Sequence, residues 1–415
     1  MAKRKYIKVD PDQLKQLHQQ RLDVYNELLR LRTKRNEISQ AINAGNSSDR
    51  KQLIAEGKTV KADTKAHEDR LTAIERDLLH LALQIPNDTH PEAPVGPEEN
   101  ARVIKIVGEQ RKSTPDHPLE DHLDIALRLN ILDLEQAAIV SGSSFYYLQG
   151  LGAFLETALI QYAMEKAASR GFLAVLTPDI VRKSVAYGCG FQPRSGESSQ
   201  IYDVKTNDED TAKLCLAGTA EIPLAGKFAT KVLNQVDLPQ RVVGFGHAFR
   251  VEAGGRGVET KGLYRVHQFS KVELFAVTTA EQSESMLEEF RHLQEEMFTE
   301  LGLCFRILDM PTEELGASAY RKYDMEAWMP GREKWGEISS TSNCTDYQSR
   351  RLSIRYRPTH HSGQNTLFCH TLNGTAMAVP RVIIAILETF QRPDGTVAVP
   401  KVLQKWMPQQ ISVLS

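Results

Sequence analysis

The stretch of sequence that decides the fold is Gly246-His-Ala-Phe-Arg-Val-Glu-Ala-Gly-Gly-Arg-Gly-Val-Glu-Thr-Lys-Gly-Leu-Tyr-Arg-Val-His-Gln-Phe-Ser-Lys-Val-Glu273. It predicts a strand, a glycine-rich loop around 254–257 and a return strand. Because side chains alternate across a strand, each strand presents its charged side chains on one face. These are Arg250 and Glu252 on the first strand, and Arg265, His267, Phe269, Lys271 and Glu273 on the second. Such a face cannot be hydrophobic core, because buried unpaired charge is costly. It is either a solvated surface or a polar binding site. The glycine loop, which can fold over a ligand, favours the binding site.

The rest of residues 101–415 combines helices and strands without regular alternation. Helices are predicted at Phe154–Arg170, Ala220–Gln235, Glu281–Leu301 and Val382–Thr389. Strands are predicted at Phe172–Leu176, Arg241–Arg250, Leu263–Val277, Cys304–Leu308 and Ala317–Trp328, and Ser339–Ser342 reads as strand or turn. This order disfavours a Rossmann-type parallel sheet, and neither GxGxxG before a helix nor a P-loop occurs. The sequence predicts an α+β fold with an antiparallel sheet.

The first hundred residues have a different pattern. Apolar or long-stemmed side chains recur every three or four positions, which is typical of a coiled coil. In the first helix they are Leu14, Leu17, Arg21, Val24, Leu28, Leu31, Arg35, Ile38 and Ile42, and in the second Leu71, Ile74, Leu78, Leu81 and Ile85. Turn residues at 43–49 separate the two, so an antiparallel helical hairpin is predicted. The proline-rich stretch 86–97 reads as a linker, which gives two domains, 1–100 and 101–415.

The charge of this hairpin is uneven. Residues 1–65 carry an excess of +7, whereas residues 66–100 carry −6 and the whole chain −2. One interpretation is a spacer or dimerisation coil. The other is a basic face that neutralises nucleic-acid phosphates without reading bases. The residues proposed for phosphate contact are Arg30, Lys34, Arg50, Lys51 and Lys58.

Composition excludes several classes of protein. With 41% hydrophobic and 25% charged residues, the 415-residue chain is of ordinary globular composition. Its five cysteines form no CxxC pair, which argues against a disulfide scaffold or a zinc knuckle. The histidines, including His360 and His361, show no metal-binding spacing, and no zinc is expected. No apolar run is long enough for a membrane span, so no membrane association is expected.

Several strings resemble class II aminoacyl-tRNA synthetases. Phe249-Arg-Val-Glu252 with the following loop and Arg265…Phe269 is similar to motif 2 of that class. Leu176-Thr-Pro-Asp-Ile-Val181 is similar to motif 1, and Asn373-Gly-Thr-Ala-Met-Ala-Val-Pro-Arg381 to motif 3. Gly218-Thr-Ala-Glu221, the strand ending at Glu273 and Glu337-Ile-Ser-Ser-Thr-Ser-Asn-Cys344 resemble the seryl-tRNA synthetase family within the class. The hairpin resembles the tRNA-binding arm of that family, and the resemblance covers nearly the whole chain.

The resemblance implies a set of site residues for a serine–tRNA ligase that uses ATP with Mg²⁺. Arg250, Glu252 and Arg381 are the implied catalytic residues. The implied ATP-binding residues are Arg250, Val251, Glu252, Phe269, Glu337, Ile338, Ser339, Ser340 and Arg381, of which Glu337 and Ser340 would hold Mg²⁺ through ATP. The implied serine-binding residues are Thr219, Ala220, Glu221, Glu273 and Thr375. The implied partners are L-serine, ATP, tRNA(Ser) on the arm and a second copy of the chain through motif 1 around Pro178.

The chain also departs from the common bacterial pattern. Ala376 and Pro380 stand in motif 3 where glycine is usual, and Val258 stands in the motif 2 loop where an arginine is usual, with Arg256 and Lys261 nearby. The Ala-Val-Pro-Arg381 form is similar to that of mitochondrial members, which predicts a mitochondrial location; the alternative is the cytoplasm. Residues 1–8 are too short for a transit peptide, so a trimmed presequence is expected. The rival interpretations are another class II specificity and a non-catalytic, synthetase-like RNA-binding or partner-binding protein.

Overall fold

The computed structural model describes residues 5, 10–45, 50–115, 118–191, 200–205, 213–252, 262–359 and 365–415. The chain forms two compact units, one that ends at Pro86 and one that runs from Asn87 to Ser415. The segment after Pro86 belongs to the larger unit, because the Asn87 amide donates to the carbonyls of Ser318 (2.8 Å) and Cys344 (2.7 Å).

The N-terminal unit is a pair of long helices, α1 (Pro11–Asn43) and α2 (Arg50–Leu83). The Asp10 carboxylate caps α1 by accepting from the backbone N–H groups of Asp12 and Gln13. Three ion pairs connect the helices, and their positions run in opposite directions along the two helices: Arg21 to Glu75, Arg32 to Glu68 and Lys34 to Glu56. The helices are therefore antiparallel, which confirms the predicted hairpin.

The buried seam of the hairpin contains Val24, Leu28 and Ile38 of α1, and Val60, Thr64 and Ile74 of α2. On α2 the seam begins earlier than the sequence pattern indicated. Thr64 belongs to it because its hydroxyl donates to the Val60 carbonyl at 2.6 Å and needs no other polar partner.

The larger unit has eight further helices in its described residues. They are α3 (His122–Arg128), α4 (Glu135–Ser141), α5 (Leu151–Ser169), α6 (Lys183–Gly188), α7 (Glu221–Gly226), α8 (Ser283–Glu300), α9 (Tyr347–Leu352) and α10 (Val379–Phe390). Its strands are β1 (Arg102–Val107), β2 (Leu132–Asp133), β3 (Tyr147–Leu148), β4 (Leu173–Leu176), β5 (Ile180–Arg182), β6 (Asp203–Val204), β7 (Leu214–Leu216), β8 (Val232–Asn234), β9 (Gln240–Phe249), β10 (Gln268–Thr278), β11 (Phe305–Asp309), β12 (Arg321–Met329), β13 (Lys334–Asn343), β14 (Arg355–Arg357), β15 (Leu367–Phe368), β16 (His370–Ala378), β17 (Val397–Ala398) and β18 (Val413–Leu414).

An eight-stranded sheet organises this unit, in the order β1-β11-β12-β13-β16-β10-β9-β4. Every neighbouring pair is antiparallel except β4 and β9, which are parallel. Helices α5, α8 and α10 pack on one face of the sheet through a continuous apolar core. The structure confirms the predicted α+β fold with an antiparallel sheet. On the other face, a second apolar cluster that includes Val242, Phe275 and Val277 packs against α7 and α9 and covers part of the sheet.

One predicted helix is wrong over most of its length. The sequence favours a helix at Ala220–Gln235, but α7 ends at Gly226 and Val232–Asn234 forms strand β8. Strand β8 pairs in parallel with β14, more than 120 positions later in the chain. This long-range strand pairing overrides the local helix propensity, and the β-branched Val232 is well suited to a strand. The strand predicted from Leu263 begins only at Gln268, and Ser339–Ser342 lies within β13.

Candidate active site

A polar cleft lies on the face of the sheet opposite α5, α8 and α10, over β10, β13 and β16. The residues that line it are Arg250, Glu252, Leu263, Tyr264, Arg265, Val266, Phe269, Lys271, Glu337, Ile338, Ser339, Ser340, Thr375, Ala378, Pro380 and Arg381. They come from three segments, 250–271, 337–340 and 375–381, which are far apart in sequence. The sheet brings them together because β10 and β13 both pair with β16.

Arg250 follows the last residue of β9 and is held on two sides. Its Nε donates to the Gly218 carbonyl at 3.1 Å, and its guanidinium lies 5.4 Å from the centre of the Phe269 ring. The Arg250 carbonyl accepts a hydrogen bond from Nδ1 of His267 at 2.9 Å, so His267 supports the backbone and does not line the cleft. The contact with Gly218 leaves the terminal nitrogens of Arg250 as a fork for an anion.

Glu252 begins the part of the motif 2 segment that enters the loop. Its backbone has φ of +47°, in the left-handed region, and its carboxylate lies 3.6 Å from Nε of Arg265. A glutamate in this conformation is strained, and strain of this kind is common where the fold fixes a ligand-binding side chain. The glycine loop that follows, with Arg256, Val258 and Lys261, lies outside the described residues.

Arg381 lies in the first turn of α10 and reaches across to β13. Its Nη1 donates to the Glu337 carboxylate and to the Glu337 carbonyl, both at 3.0 Å, and its Nε donates to the Tyr264 carbonyl at 3.3 Å. The Tyr264 ring is contacted by two guanidinium groups, with Arg381 at 4.7 Å and Arg332 at 4.4 Å from its centre. Tyr264 therefore fixes the plane of the Arg381 side chain by cation–π contact.

The Glu337 carboxyl remains ionised in this site. Burial acts to raise its pKa, but Arg381, and after it Lys322 and Arg250, outweigh burial and lower the pKa below its ordinary value. Strand β12 places Asp324 directly opposite Ser340, and Lys322 lies 2.9 Å from the Asp324 carboxylate. Burial raises the pKa of Asp324 to about 7, although Lys322 opposes the shift.

The floor of the cleft is a buried polar group at the middle of the sheet. Lys271 Nζ lies 2.7 Å from Oε2 of Glu273 and donates to the Thr219 hydroxyl at 3.3 Å. Glu273 and Thr219 are each 1% exposed, and Glu273 pairs in register with Thr375 of β16. The ion pair compensates the charge of Glu273, which could not otherwise be buried at this depth.

Glu221 lies beside this floor, at the first turn of α7. Its Oε1 accepts two hydrogen bonds, from Gln348 at 2.6 Å and from Asn373 at 3.0 Å. Burial, and after it the Glu273 carboxylate, raises the pKa of Glu221 to about 7; the Gln348 hydrogen bond, Lys271 and Arg250 act in the opposite direction.

The structure brings most of the sequence-predicted site residues to one place. Of the predicted ATP-binding residues, all except Val251 line the cleft. Of the predicted serine-binding residues, Thr375 lines the cleft. The other four, Thr219, Ala220, Glu221 and Glu273, are buried below or beside it. The sequence reasoning missed Tyr264, and it noted Lys271 on the strand face without assigning it to the site. The period-two alternation toward Glu273 was the available signal for Lys271. Gln348 and Asn373 contact Glu221 from distant segments and left no local signal.

The sequence predicts neither a membrane span nor a zinc site. Among the described residues, no helix is both long and apolar enough to cross a bilayer. Within the same residues, no group of three or more His, Cys, Asp and Glu side chains is arranged for a metal ion, and the five cysteines are free and buried. His360 and His361 lie outside the part of the chain that the structure describes.

Comparison with known proteins assigns both units. Residues 202–390 match the core domain of class II tRNA synthetases (G, H, P, S and T), and residues 1–89 match the seryl-tRNA synthetase N-terminal domain. A prolyl-tRNA synthetase of Giardia lamblia shares the fold at 17% identity, with a TM-score of 0.58 over 69% of this chain and 57% of that chain. The sheet thus has the fold of the class II aminoacyl-tRNA synthetase core.

Relatives that align with most of the chain indicate which family within the class it belongs to. The chain is 43% identical to the serine–tRNA ligase of Rubrobacter xylanophilus over 98% of this chain and 93% of that protein. It is 46% identical to the mitochondrial serine–tRNA ligase of Schizosaccharomyces pombe over 91% of this chain and 78% of that protein. The seryl-tRNA synthetase of Pyrococcus horikoshii complexed with ATP superposes with a TM-score of 0.83 at 36% identity, covering 97% and 92% of the two chains. This chain belongs to the seryl-tRNA synthetase family.

Proposed function

We propose that the chain is a serine–tRNA ligase. In the first step the carboxylate of L-serine attacks the α-phosphorus of ATP, which forms seryl-adenylate and releases pyrophosphate. In the second step a ribose hydroxyl at the 3′ end of tRNA(Ser) attacks the seryl carbonyl, and AMP leaves. The observation that carries the proposal is one cleft in which Arg250, Phe269, Glu337 and Arg381 stand above the buried Lys271–Glu273 pair.

The upper part of the cleft suits ATP. The Arg250 fork is available for the α-phosphate, where negative charge develops during attack, and a preorganised cation at that point lowers the barrier. Phe269 offers one face for stacking the adenine ring, Glu252 an acceptor for the adenine amino group, and Arg381 a cation for the other ring face or the γ-phosphate. Residues 337–340 line the same cleft.

The donor set of Glu337 and Ser340 fits Mg²⁺. Both offer hard oxygen atoms, which this ion prefers, and the lowered pKa of Glu337 keeps its carboxylate charged at neutral pH. When bound with ATP, the ion would neutralise phosphate charge. Glu337 and Ser340 would hold it, and Arg381 keeps the Glu337 carboxylate oriented toward the cleft through its hydrogen bond.

The floor suits the small polar amino acid. Glu273 and Thr375 are opposite each other across β10 and β16, and both can hydrogen-bond a hydroxyl. Glu221 and Thr219 offer acceptors for the ammonium group. A buried site built to hydrogen-bond a hydroxyl rejects alanine because its own polar groups would be left unpaired.

The arm and the edge of the sheet support two further parts of the proposal. Arg30, Lys34, Arg50, Lys51 and Lys58 are all exposed on the hairpin, as contact with tRNA(Ser) phosphates requires.

The edge strand β4 has Leu173 at 60% and Leu176 at 83% exposure, and an uncovered apolar edge of this kind favours contact with a partner. We infer that a second copy of the chain covers it through motif 1 around Pro178, in a two-fold dimer.

The test is ATP–pyrophosphate exchange and aminoacylation with purified full chain. We expect exchange that depends on serine and not on threonine, proline or glycine, and charging of a tRNA pool with serine alone. Exchange that depends on another of these amino acids would assign a different class II specificity. Absence of exchange with every amino acid, in a folded protein, would favour a non-catalytic binding protein.

We also propose that the protein acts in mitochondria. This proposal is supported by the Ala-Val-Pro-Arg381 form of motif 3 and by the 46% identity to the mitochondrial ligase of S. pombe. Bacterial relatives at 42–44% identity support the cytoplasmic alternative. Fluorescence microscopy of the tagged full-length protein in its source cells distinguishes the two, and charging of separate mitochondrial and cytosolic tRNA pools gives an independent measurement.

A further inference from the structure

Two side-chain amides converge on one oxygen atom of Glu221. Gln348 Nε2 donates to Glu221 Oε1 at 2.6 Å, and Asn373 Nδ2 donates to the same oxygen at 3.0 Å. No hydrogen bond of Glu221 Oε2 is formed within the part of the chain that the structure describes. The carboxylate is therefore fixed through one oxygen, and the other remains available to a ligand.

The two amides are themselves held in place. Gln348 lies on α9, is fully buried and directs its second amide N–H toward the Cys189 carbonyl, at 3.4 Å. Asn373 lies on β16, in register with Ser342 of β13, and also donates to Sγ of Cys344 at 3.4 Å. Three separate elements, α7, α9 and β16, thus meet at this carboxylate, and such a hydrogen-bonded network fixes its orientation.

We propose that Gln348 and Asn373 are positioning residues for substrate recognition, and that they orient Glu221 so that its second oxygen receives the ammonium group of the amino acid. This inference rests on the proposed serine-activating function. It assigns the two amides to amino-acid binding and not to ATP binding, because neither lines the part of the cleft formed by Arg250, Phe269 and Arg381.

The charges around Glu221 determine whether its carboxylate is ionised and can bind an ammonium group. The charged and titratable groups that act on Glu221 are Glu273, Lys271, Arg250, Cys189 and Cys344. Glu273 favours the protonated form of Glu221, whereas Lys271 and Arg250 favour the ionised form that binds an ammonium group. The Gln348 hydrogen bond favours the ionised form as well. Removal of this donor is therefore expected to misorient the carboxylate and to raise its pKa.

The test is serine-dependent ATP–pyrophosphate exchange with the full-length Gln348→Met variant, in which a side chain of similar length has no donor. Because a hydrogen bond to a charged group contributes substantially to binding, we expect the KM for serine to rise at least about tenfold. The KM for ATP should change less than about twofold. The pH at which the serine KM falls should shift upward relative to wild type.

The control is Gln391→Met. Gln391 is also a buried glutamine, and it donates to the carbonyls of Glu120 and Glu388, outside the cleft. It should leave the serine KM and its pH profile unchanged even if it lowers thermal stability. Asn373→Ala removes the second donor and gives the same readout if Gln348→Met does not fold.

The inference is overturned if a folded Gln348→Met or Asn373→Ala variant keeps the wild-type serine KM, or if the KM values for serine and ATP rise by the same factor. An absence of serine-dependent exchange in the wild-type chain is a different result, because it overturns the proposed function itself.

Discussion

The guanidinium of Arg381 and the carboxylate of Glu337 form an ion pair at 3.0 Å that joins the first turn of α10 to β13. Arg381 also donates to the backbone carbonyl of Glu337, so the pair fixes both the side chain and the strand. The proposed metal ligand is thus held by the residue proposed to contact adenine or the γ-phosphate. A change at either residue should affect both parts of the ATP site.

The first prediction concerns the charge of Glu337. Glu337→Gln keeps the shape of the side chain but removes the carboxylate that we propose holds Mg²⁺. We expect serine-dependent pyrophosphate exchange to fall by about 10², the scale of removing one preorganised electrostatic contact, and to require a higher Mg²⁺ concentration for half-maximal rate.

The matched control is Glu326→Gln on the neighbouring strand. Glu326 is likewise paired with an arginine, Arg306, at 2.6 Å, but it does not line the cleft. It should keep exchange within about threefold of wild type. Wild-type exchange in a folded Glu337→Gln variant would remove Glu337 from the site.

The second prediction concerns the geometry of Arg250. Arg250→Lys retains the positive charge but replaces a planar fork with a single ammonium group, which cannot contact Gly218 and a phosphate in the same way. We expect exchange to fall by at least about tenfold in Arg250→Lys and by about 10² in Arg250→Ala. Exchange by Arg250→Lys at the wild-type rate would show that charge alone is sufficient.

The alternation of side chains predicts only part of this site. It places Phe269, Lys271 and Glu273 on one polar face of a strand, and all three lie in β10. Arg250 and Glu252 lie beyond the end of β9 at Phe249, and their roles are implied by the resemblance to seryl-tRNA synthetases. The hairpin was predictable for a related reason, since its apolar seam follows the period of a helix. Patterns that repeat locally determine these elements.

Contacts between distant segments were not predictable. The hydrogen bonds of Gln348 and Asn373 to Glu221 span 127 and 152 positions, and no periodic signal accompanies them. The same is true of strand β8, whose partner β14 is distant, and this explains why the predicted helix at Ala220–Gln235 was wrong after Gly226. The left-handed backbone of Glu252 depends on the surrounding fold as well.

The third prediction is the pH dependence of serine binding. Burial and Glu273 raise the pKa of Glu221 to about 7, and only its ionised form attracts an ammonium group. The fraction of ionised Glu221 therefore increases as the pH rises from 6 to 8, and the KM for serine in pyrophosphate exchange should fall by roughly fivefold between pH 6 and pH 7. Above pH 7.5 the curve should level off.

Asp324, whose pKa is also about 7, titrates in the same range, so a variant must separate the two groups. Glu221→Gln should abolish the pH dependence of the serine KM, whereas Asp324→Asn should retain it. A serine KM that is constant from pH 6 to 8 in the wild-type enzyme would contradict the role of Glu221 as an ionisable serine ligand.

The fourth prediction concerns assembly. Leu176 at the edge strand β4 is 83% exposed, and we expect Leu176→Asp to convert a dimer to a monomer because the charge would be buried in the proposed interface. Light scattering at micromolar concentration gives the mass directly, against 46.6 kDa for one chain. Leu79→Asp, at an exposed leucine of α2 in the other unit, is the control and should remain dimeric. A monomeric wild-type protein would contradict the proposal.

The last prediction separates the arm from the chemistry of activation. The α1 helix has 33 residues, roughly 50 Å at ~1.5 Å per residue, long enough to contact a tRNA far from its 3′ end. Lys34 is paired with Glu56 at 2.8 Å and Arg30 with Glu27 at 3.3 Å, whereas no ion pair of Arg50, Lys51 or Lys58 is formed among the described residues. These three cations should therefore contribute most to phosphate contact.

We expect the triple change Arg50→Ala, Lys51→Ala and Lys58→Ala to raise the KM for tRNA at least tenfold, and to reduce the salt dependence of charging because fewer counterions are released. Serine-dependent pyrophosphate exchange should stay within about twofold, since every proposed ATP and serine residue lies beyond residue 218. Deletion of residues 12–85 should abolish charging but preserve exchange within several-fold. A deletion variant that is folded and still charges tRNA at the full rate would identify the hairpin as a spacer or an oligomerisation coil, because phosphate contacts on the arm would then contribute nothing to tRNA binding.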